Sequence, residues 1–215
     1  MPGFDFQRGL MLLIPLVLSL SVHEFAHAWS AWKLGDDTAA RMGRLTLNPI
    51  AHIDPIGTLL LPLLQVPFGW ARPVPVNPAR FRRGVSMNLG MAITAAAGPL
   101  SNILLAVLAT VAYAVLWWNA RGAVRGTGLA ELLEIMIGMN VNLAIFNLIP
   151  VPPLDGSRIV DGFLPHRLRP QWERVAAFSP FLLLGVIFFA GRIISGPSSF
   201  VGGLLTSLFY ALGPA

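Results

Sequence analysis

Apolar residues occur along this chain in blocks long enough to cross a bilayer, and prolines, glycines and arginines collect between the blocks. A hydrocarbon core about 30 Å thick takes about 20 residues of helix. Residues 10–34, 87–118, 129–148, 175–194 and 199–212 form five such blocks, the last short and interrupted by Gly202 and Gly203. The pattern predicts an all-α polytopic membrane protein with five transmembrane helices, folded as one domain over residues 1–215. No internal repeat is visible, so the inverted halves that build many transporters are not predicted.

Residues 41–84 depart from the helical pattern. Arg44-Leu45-Thr46-Leu47 and Ala71-Arg72-Pro73-Val74-Pro75-Val76 alternate with the period of half-buried edge strands, and their prolines suit an edge that donates no ladder bond. Pro55 to Val66 is apolar but too short to span. A small β-rich, re-entrant element between the first and second helices is therefore predicted. Such backbone survives at membrane depth only where protein or a water-filled cavity covers it.

Composition sharpens this picture. Hydrophobic residues make up 55% and charged residues 12% of the 215, with a mean hydropathy of +0.68, against roughly 25% charge in a soluble domain. So much apolar surface excludes intrinsic disorder, and the absence of cysteine excludes a disulfide scaffold. Any metal site must use nitrogen and oxygen ligands. The net charge of +5 comes from cations in loops between apolar runs, not from one soluble face, so the partner implied is a lipid bilayer and not nucleic acid. Oligomeric state is not readable from the pattern.

The arginines also predict orientation. Arg41, Arg44, Arg72, Arg80, Arg82 and Arg83 fall in one loop and Arg158, Arg167 and Arg169 in another, and five spans place both on one side. Positive residues favour the cytoplasm, so the N-terminus is predicted outside and the C-terminus inside. A cleaved signal peptide does not fit the first block, since Arg8 is balanced by Asp5 and cleavage would discard the cluster described next.

That cluster is His23-Glu24-Phe25-Ala26-His27, an HExxH motif. Residues four apart share a helix face, so the two imidazoles can converge on one metal ion with Glu24 beside them as a proton-handling group. Ionisable groups at membrane depth cost roughly 2.5 to 3.5 kcal/mol each, which three together offset only with a compensating partner such as a metal. A helix end at which His and Glu reach the interface, near Lys33 and Asp36, is the plainer alternative. A catalytic zinc normally takes a third protein ligand and a water. The candidate is Asp155, which follows the helix-breaking prolines 150, 152 and 153; Asp155-Gly156 also reads as a simple turn. Asp161 is a reserve ligand or a local partner for Arg158.

Other polar residues invite plainer roles. His52 and Asp54 share one side of an extended segment, which favours a structural hydrogen-bonding role over a second metal site. His166 lies in an arginine-rich loop and is predicted exposed. Asn102 must find a partner within an apolar stretch, and helix packing is its simplest explanation. Trp29, Trp32, Trp117 and Trp118 sit near span ends as interfacial anchors do, and arginines 80, 82 and 83 suit lipid headgroups.

With HEFAH at 23–27, NLIPVPPLDG at 147–156 and Gly98-Pro99-Leu100-Ser101-Asn102 between them, the chain resembles the site-2 protease family of intramembrane zinc metalloproteases. NPIAHIDPIG at 48–57 and RPVPVNPARF at 72–81 resemble its compact prokaryotic branch, and these 215 residues leave no room for a PDZ or nucleotide-sensing domain. The resemblance implies that His23, His27 and Asp155 hold one zinc ion per chain and that Glu24 is the catalytic acid/base. It also implies a substrate-contacting role for Asn147, which on its own position reads equally as a cap for freed carbonyls. By the same resemblance, residues 41–83 present an edge to an extended substrate, and the reaction is peptide-bond hydrolysis in or near a transmembrane segment of another membrane protein. The implied location is a prokaryotic cell membrane, with the active site opening towards the cytoplasm. A metal transporter or channel, or a catalytically silent scaffold of the same fold, is the alternative.

Overall fold

The computed structural model describes residues 6–64, 69–120 and 123–214; expectations for Asp5 and Val66 lie outside these residues. In chain order the helices are α1 (Phe6–Lys33), α2 (Thr38–Arg41), α3 (Leu61–Leu63), α4 (Met87–Asn119), α5 (Gly128–Asn147), α6 (Asp155–Phe163), α7 (Arg169–Ala177) and α8 (Ser179–Ala211). Four of them, α1, α4, α5 and α8, are long and apolar enough to cross a membrane.

Four spans, not five, correct the sequence expectation. The blocks at 175–194 and 199–212 are parts of α8, a single helix of 33 residues that continues through Pro197. Where lipid surrounds a helix, an interrupted backbone leaves polar groups that no water satisfies, so proline is carried inside the helix instead of ending it. With four candidate spans among the described residues, the count of five that placed the termini on opposite faces is lost. Gly98-Pro99 likewise breaks no helix. It lies inside α4, which starts where the Ser86 hydroxyl accepts from the Leu89 amide at 3.2 Å.

Small residues fill the helix interfaces. Ala28, Ala106, Ala114 and Ala144 are fully buried, while Leu100, Leu104 and Leu108 form an exposed row on α4 and Phe181 and Phe188 are about three-quarters exposed on α8. Hydrocarbon solvates leucine and phenylalanine as well as protein does, so small side chains that admit close backbone approach occupy the contacts. One buried cluster joins Ala106 of α4, Val141 of α5 and Leu205 of α8. Another joins Leu16 and Leu20 of α1 to Ala71.

The β-rich element is the second correction: no strand occurs among the described residues. Three short helical turns stand in residues 41–84 instead, each begun by an Asx-Pro pair. Asn48 caps Pro49–Ala51, Asp54 caps the π-helical turn Pro55–Leu60, and Asn77 caps Pro78–Arg80. A side-chain acceptor at the cap and a proline at the first helical position preorganise a turn, and this outweighed the alternation. Residues 69–77 do run extended, as a strap across α1, but discrete bonds hold them where the sequence pattern predicted a ladder. The Arg72 amide donates to the His52 carbonyl at 2.8 Å, the Thr58 hydroxyl donates to the Trp70 carbonyl at 2.7 Å, and the Arg44 guanidinium donates to the Arg72 and Pro73 carbonyls. Ala71 and Val74, three residues apart, are the buried positions of the strap while Arg72 and Pro73 between them are exposed, so burial does not follow the two-residue period of a strand.

At the strap's far end, Asp36 is fully buried and accepts from the amide and hydroxyl of Thr38 and, at 2.6 Å, from the Asn77 amide. Outside it, Asp37 pairs with Arg41 and Arg80, and the Arg41 bond leads in holding its carboxyl below the usual range. Replacing Asp36 by alanine strands three donors, so Asp36→Ala is expected to cost about 2–4 kcal/mol. A lowered denaturation midpoint in detergent checks this; an unchanged midpoint would remove Asp36 from the fastening.

Candidate metal centre

α1 is helical through the HExxH motif, so His23 and His27 stack on one face with ring centroids 4.6 Å apart and planes at 90°. Asp155 is the first residue of α6, where the chain re-enters helix after the prolines that end α5. The structure brings the three together. The Nε2 atoms of the two histidines are 3.0 Å apart, and Asp155 Oδ2 is 3.1 Å from the first and 3.3 Å from the second. All three residues are buried.

Hydrogen bonds on the far sides of the rings fix their chemistry. His23 Nδ1 lies 2.6 Å from Asn102 Oδ1 and His27 Nδ1 lies 2.7 Å from the Thr94 carbonyl. Both partners are acceptors, so each Nδ1 carries the proton and each Nε2 turns a lone pair inward. Asp155 faces both Nε2 atoms from the first residue of α6. Its Oδ2 is buried with no hydrogen-bond donor. Three converging lone pairs with no proton between them are what a cation would satisfy. Their separations match the ligand edges of roughly 3.3 Å that follow from a tetrahedral ion with bonds of about 2.0–2.1 Å.

Two glycines make this approach feasible. A Cβ on Gly98 of α4 would stand 2.5 Å from His27 Cε1 and 2.6 Å from His23 Cε1 and Nε2. A Cβ on Gly156 would collide with the Leu148 and Ile149 carbonyls, so Asp155 reaches the site only because glycine follows it.

Glu24 is also buried, and its Oε2 accepts from the Val74 amide of the strap at 2.8 Å. Both belong to the wall of a cavity of about 1070 Å³ between α1, α5, α8 and the strap, which also exposes His23, His27, Asp155 and Asn147. Asn147 is half-buried, its Nδ2 donates to the Leu143 carbonyl one turn back at 3.0 Å, and its side chain borders the cavity.

The remaining sequence candidates stand elsewhere. The ring of His52 is buried with Nε2 on the Thr46 carbonyl at 2.8 Å, and Asp54 accepts from the amides of Ile56 and Gly57. Neither joins the His23, His27 and Asp155 cluster. Asp161 is outside the cluster and forms no ion pair with Arg158 among the described residues, and His166 is exposed. Lys33 lies over the exposed rings of Trp29 and Trp32, as at an interface. The Val74 amide and Thr94 carbonyl could not be found from sequence because they are backbone groups. Asn140 had a signal, an amide within an apolar helix, that had no visible partner.

Comparison with known proteins places the chain in a family. The profile of peptidase family M50 matches residues 87–189. A Bacillus subtilis (strain 168) protein named "Putative zinc metalloprotease YwhC" is 41% identical over 82% of this chain and 79% of its own length. The chain belongs to peptidase family M50. This is the site-2 protease family that the motifs resemble. The M50 chain is also 32% identical to a Mycolicibacterium smegmatis protein named "Putative zinc metalloprotease Rip2", over 78% of this chain and 61% of the relative, and to the Mycobacterium tuberculosis protein of the same name over the same shares. No solved structure matches.

Gly98→Ala drives a methyl group into both imidazoles. It is expected to weaken divalent-metal binding at least about tenfold, the scale set by disturbing ligand orientation. Mass-spectrometric metal content and chelator competition on detergent-purified protein check this; undiminished binding would show that the rings have room to move.

Proposed function

We propose that this M50 protein is a zinc-dependent intramembrane endopeptidase that hydrolyses a peptide bond in or near a transmembrane segment of a membrane-protein substrate. The observation that carries this reading is the convergence of His23, His27 and Asp155 beside Glu24 on a cavity bordered by lipid-spanning helices. In this reading His23 Nε2, His27 Nε2 and Asp155 Oδ2 hold one zinc ion. Zinc bound there supplies Lewis acidity and brings a water to a pKa near 7.

Glu24 is the catalytic acid/base. Its Oε2 is held by the strap, while Oε1 has no hydrogen bond among the described residues and takes the proton of the attacking water, later passing it to the leaving amine. Asn147, on the cavity wall, is assigned to the substrate carbonyl, which requires its amide to leave the Leu143 carbonyl. The apolar face of the cavity formed by Leu183 and Ile187 of α8 suits a substrate that arrives as a membrane helix. A transporter would need ligands that release their ion. The Nδ1 anchors and the acid/base beside the ligands support hydrolysis instead.

The arginine-rich segments on either side of α4 and α5 are assigned to the cytoplasm, with both chain ends on the opposite side and the active site opening inwards. Since the chain has no cysteine, single cysteines at Arg82 and Gly213 report this directly. The first is expected to be protected from an impermeant thiol reagent in intact cells and the second labelled; the reverse pattern would invert the assignment.

His23→Ala is expected to abolish both zinc content and cleavage. Glu24→Gln is expected to keep zinc at one per chain while lowering cleavage of a co-reconstituted membrane substrate by at least about a hundredfold, in the range lost with a general acid/base. Turnover retained in Glu24→Gln would remove Glu24 from its role. Wild-type protein that binds no zinc when supplied with it would overturn the proposed function.

A further inference from the structure

Behind His23, away from the cavity, three polar side chains from three helices are buried completely: Ser19 of α1, Asn102 of α4 and Asn140 of α5. They form one connected chain. Asn102 Oδ1 lies 2.6 Å from His23 Nδ1, and Asn102 Nδ2 donates to Asn140 Oδ1 at 2.8 Å and to the Ser19 carbonyl at 3.4 Å. Asn140 Nδ2 in turn donates to the Ser19 hydroxyl at 2.8 Å and to the Met136 carbonyl at 2.8 Å.

The direction of this chain is not free. The Met136 and Ser19 carbonyls can only accept, so each faces an amide nitrogen. Turning Asn140 over would set its oxygen against the Met136 carbonyl, and turning Asn102 over would set its oxygen against the Ser19 carbonyl and Asn140 Oδ1. Both amides are therefore locked, and the atom that Asn102 offers His23 must be an acceptor. We infer that Asn102, held by Asn140 and Ser19, is the positioning residue that imposes the Nδ1–H tautomer on His23 and so fixes its Nε2 lone pair at the metal centre. The inference rests on the proposed metal site for its consequence, but not for the tautomer itself.

Packing and positioning predict opposite orders for two near-isosteric variants. In Asn102→Leu no acceptor remains, so His23 is free to protonate at Nε2 and to turn. In Asn102→Asp the acceptor remains and only the bonds to Asn140 and Ser19 are disturbed. A residue that merely fills the interface between apolar helices would tolerate leucine and be harmed by a buried carboxylate. A positioning residue gives the reverse order for metal affinity.

The experiment records nitrogen chemical shifts of histidine-labelled, metal-free protein in detergent. The His23 signals are identified by their loss in His23→Ala, and apparent zinc affinity is measured by chelator competition for each Asn102 variant. The expected result is an Nδ1–H His23 in the wild type, a mixed or Nε2–H ring in Asn102→Leu with zinc affinity about 10–100-fold lower, and recovery of most of that loss in Asn102→Asp. An Nε2–H ring in the wild type would overturn the inference without any variant, which keeps it testable if a variant fails to fold. Leucine tolerated better than aspartate in zinc affinity would also overturn it. Wild-type protein that shows the Nδ1–H ring yet takes up no zinc would uphold the positioning and overturn the metal reading instead.

Discussion

A polar group in the hydrocarbon layer must find its partner within the protein, since each unsatisfied group costs several kcal/mol and no water is at hand. The M50 chain meets that constraint at its centre by answering the outer Nδ1 atoms of His23 and His27 from another element. One imidazole is answered by a side-chain amide on α4 and the other by an α4 carbonyl, while Asp36 at the end of α1 gathers the start of α2 and the turn after the strap. The packing follows from those requirements. α1 and α4 must approach closely enough for imidazoles to touch backbone, and alanine and glycine at the crossing allow it.

The unit of construction is therefore a bonded pair across two helices more than an apolar core in the soluble sense. Large aliphatic and aromatic side chains point outward on α4 and α8, where lipid is their solvent, and the interior is left to small residues and to amides. Burial of leucine stabilises little under these conditions, whereas an amide left without a partner is expensive. Polar residues in the spans accordingly carry both architecture and chemistry.

Much of the site was legible from sequence because its signals are local and costly. HExxH places two imidazoles on one helix face by periodicity alone, and an acid following three prolines marked where irregular backbone meets helix; the structure brings Asp155 to both histidines. The fold was less legible where two rules compete. At Pro197 a helix-breaking residue met a lipid environment that penalises breaks, and the environment prevailed, merging two blocks into α8. In residues 41–84 alternation competed with Asx-Pro capping, and three capped turns replaced the expected strands. The roles of Asn140, Gly98, the Thr94 carbonyl and the Val74 amide depend on which helix lies opposite, and no local pattern records that.

The strap over α1 has one property that a sheet would lack. Its bonds to His52, Thr58, Arg44, Glu24 and Asp36 are made by different partners at separate points. In a ladder, neighbouring rungs share a register, so opening one weakens the next and the strand leaves as a unit. Point attachment decouples them. Uncovering Glu24 at the middle of the strap therefore requires the loss of the one Val74 amide bond there, while the bonds at both ends can stay made.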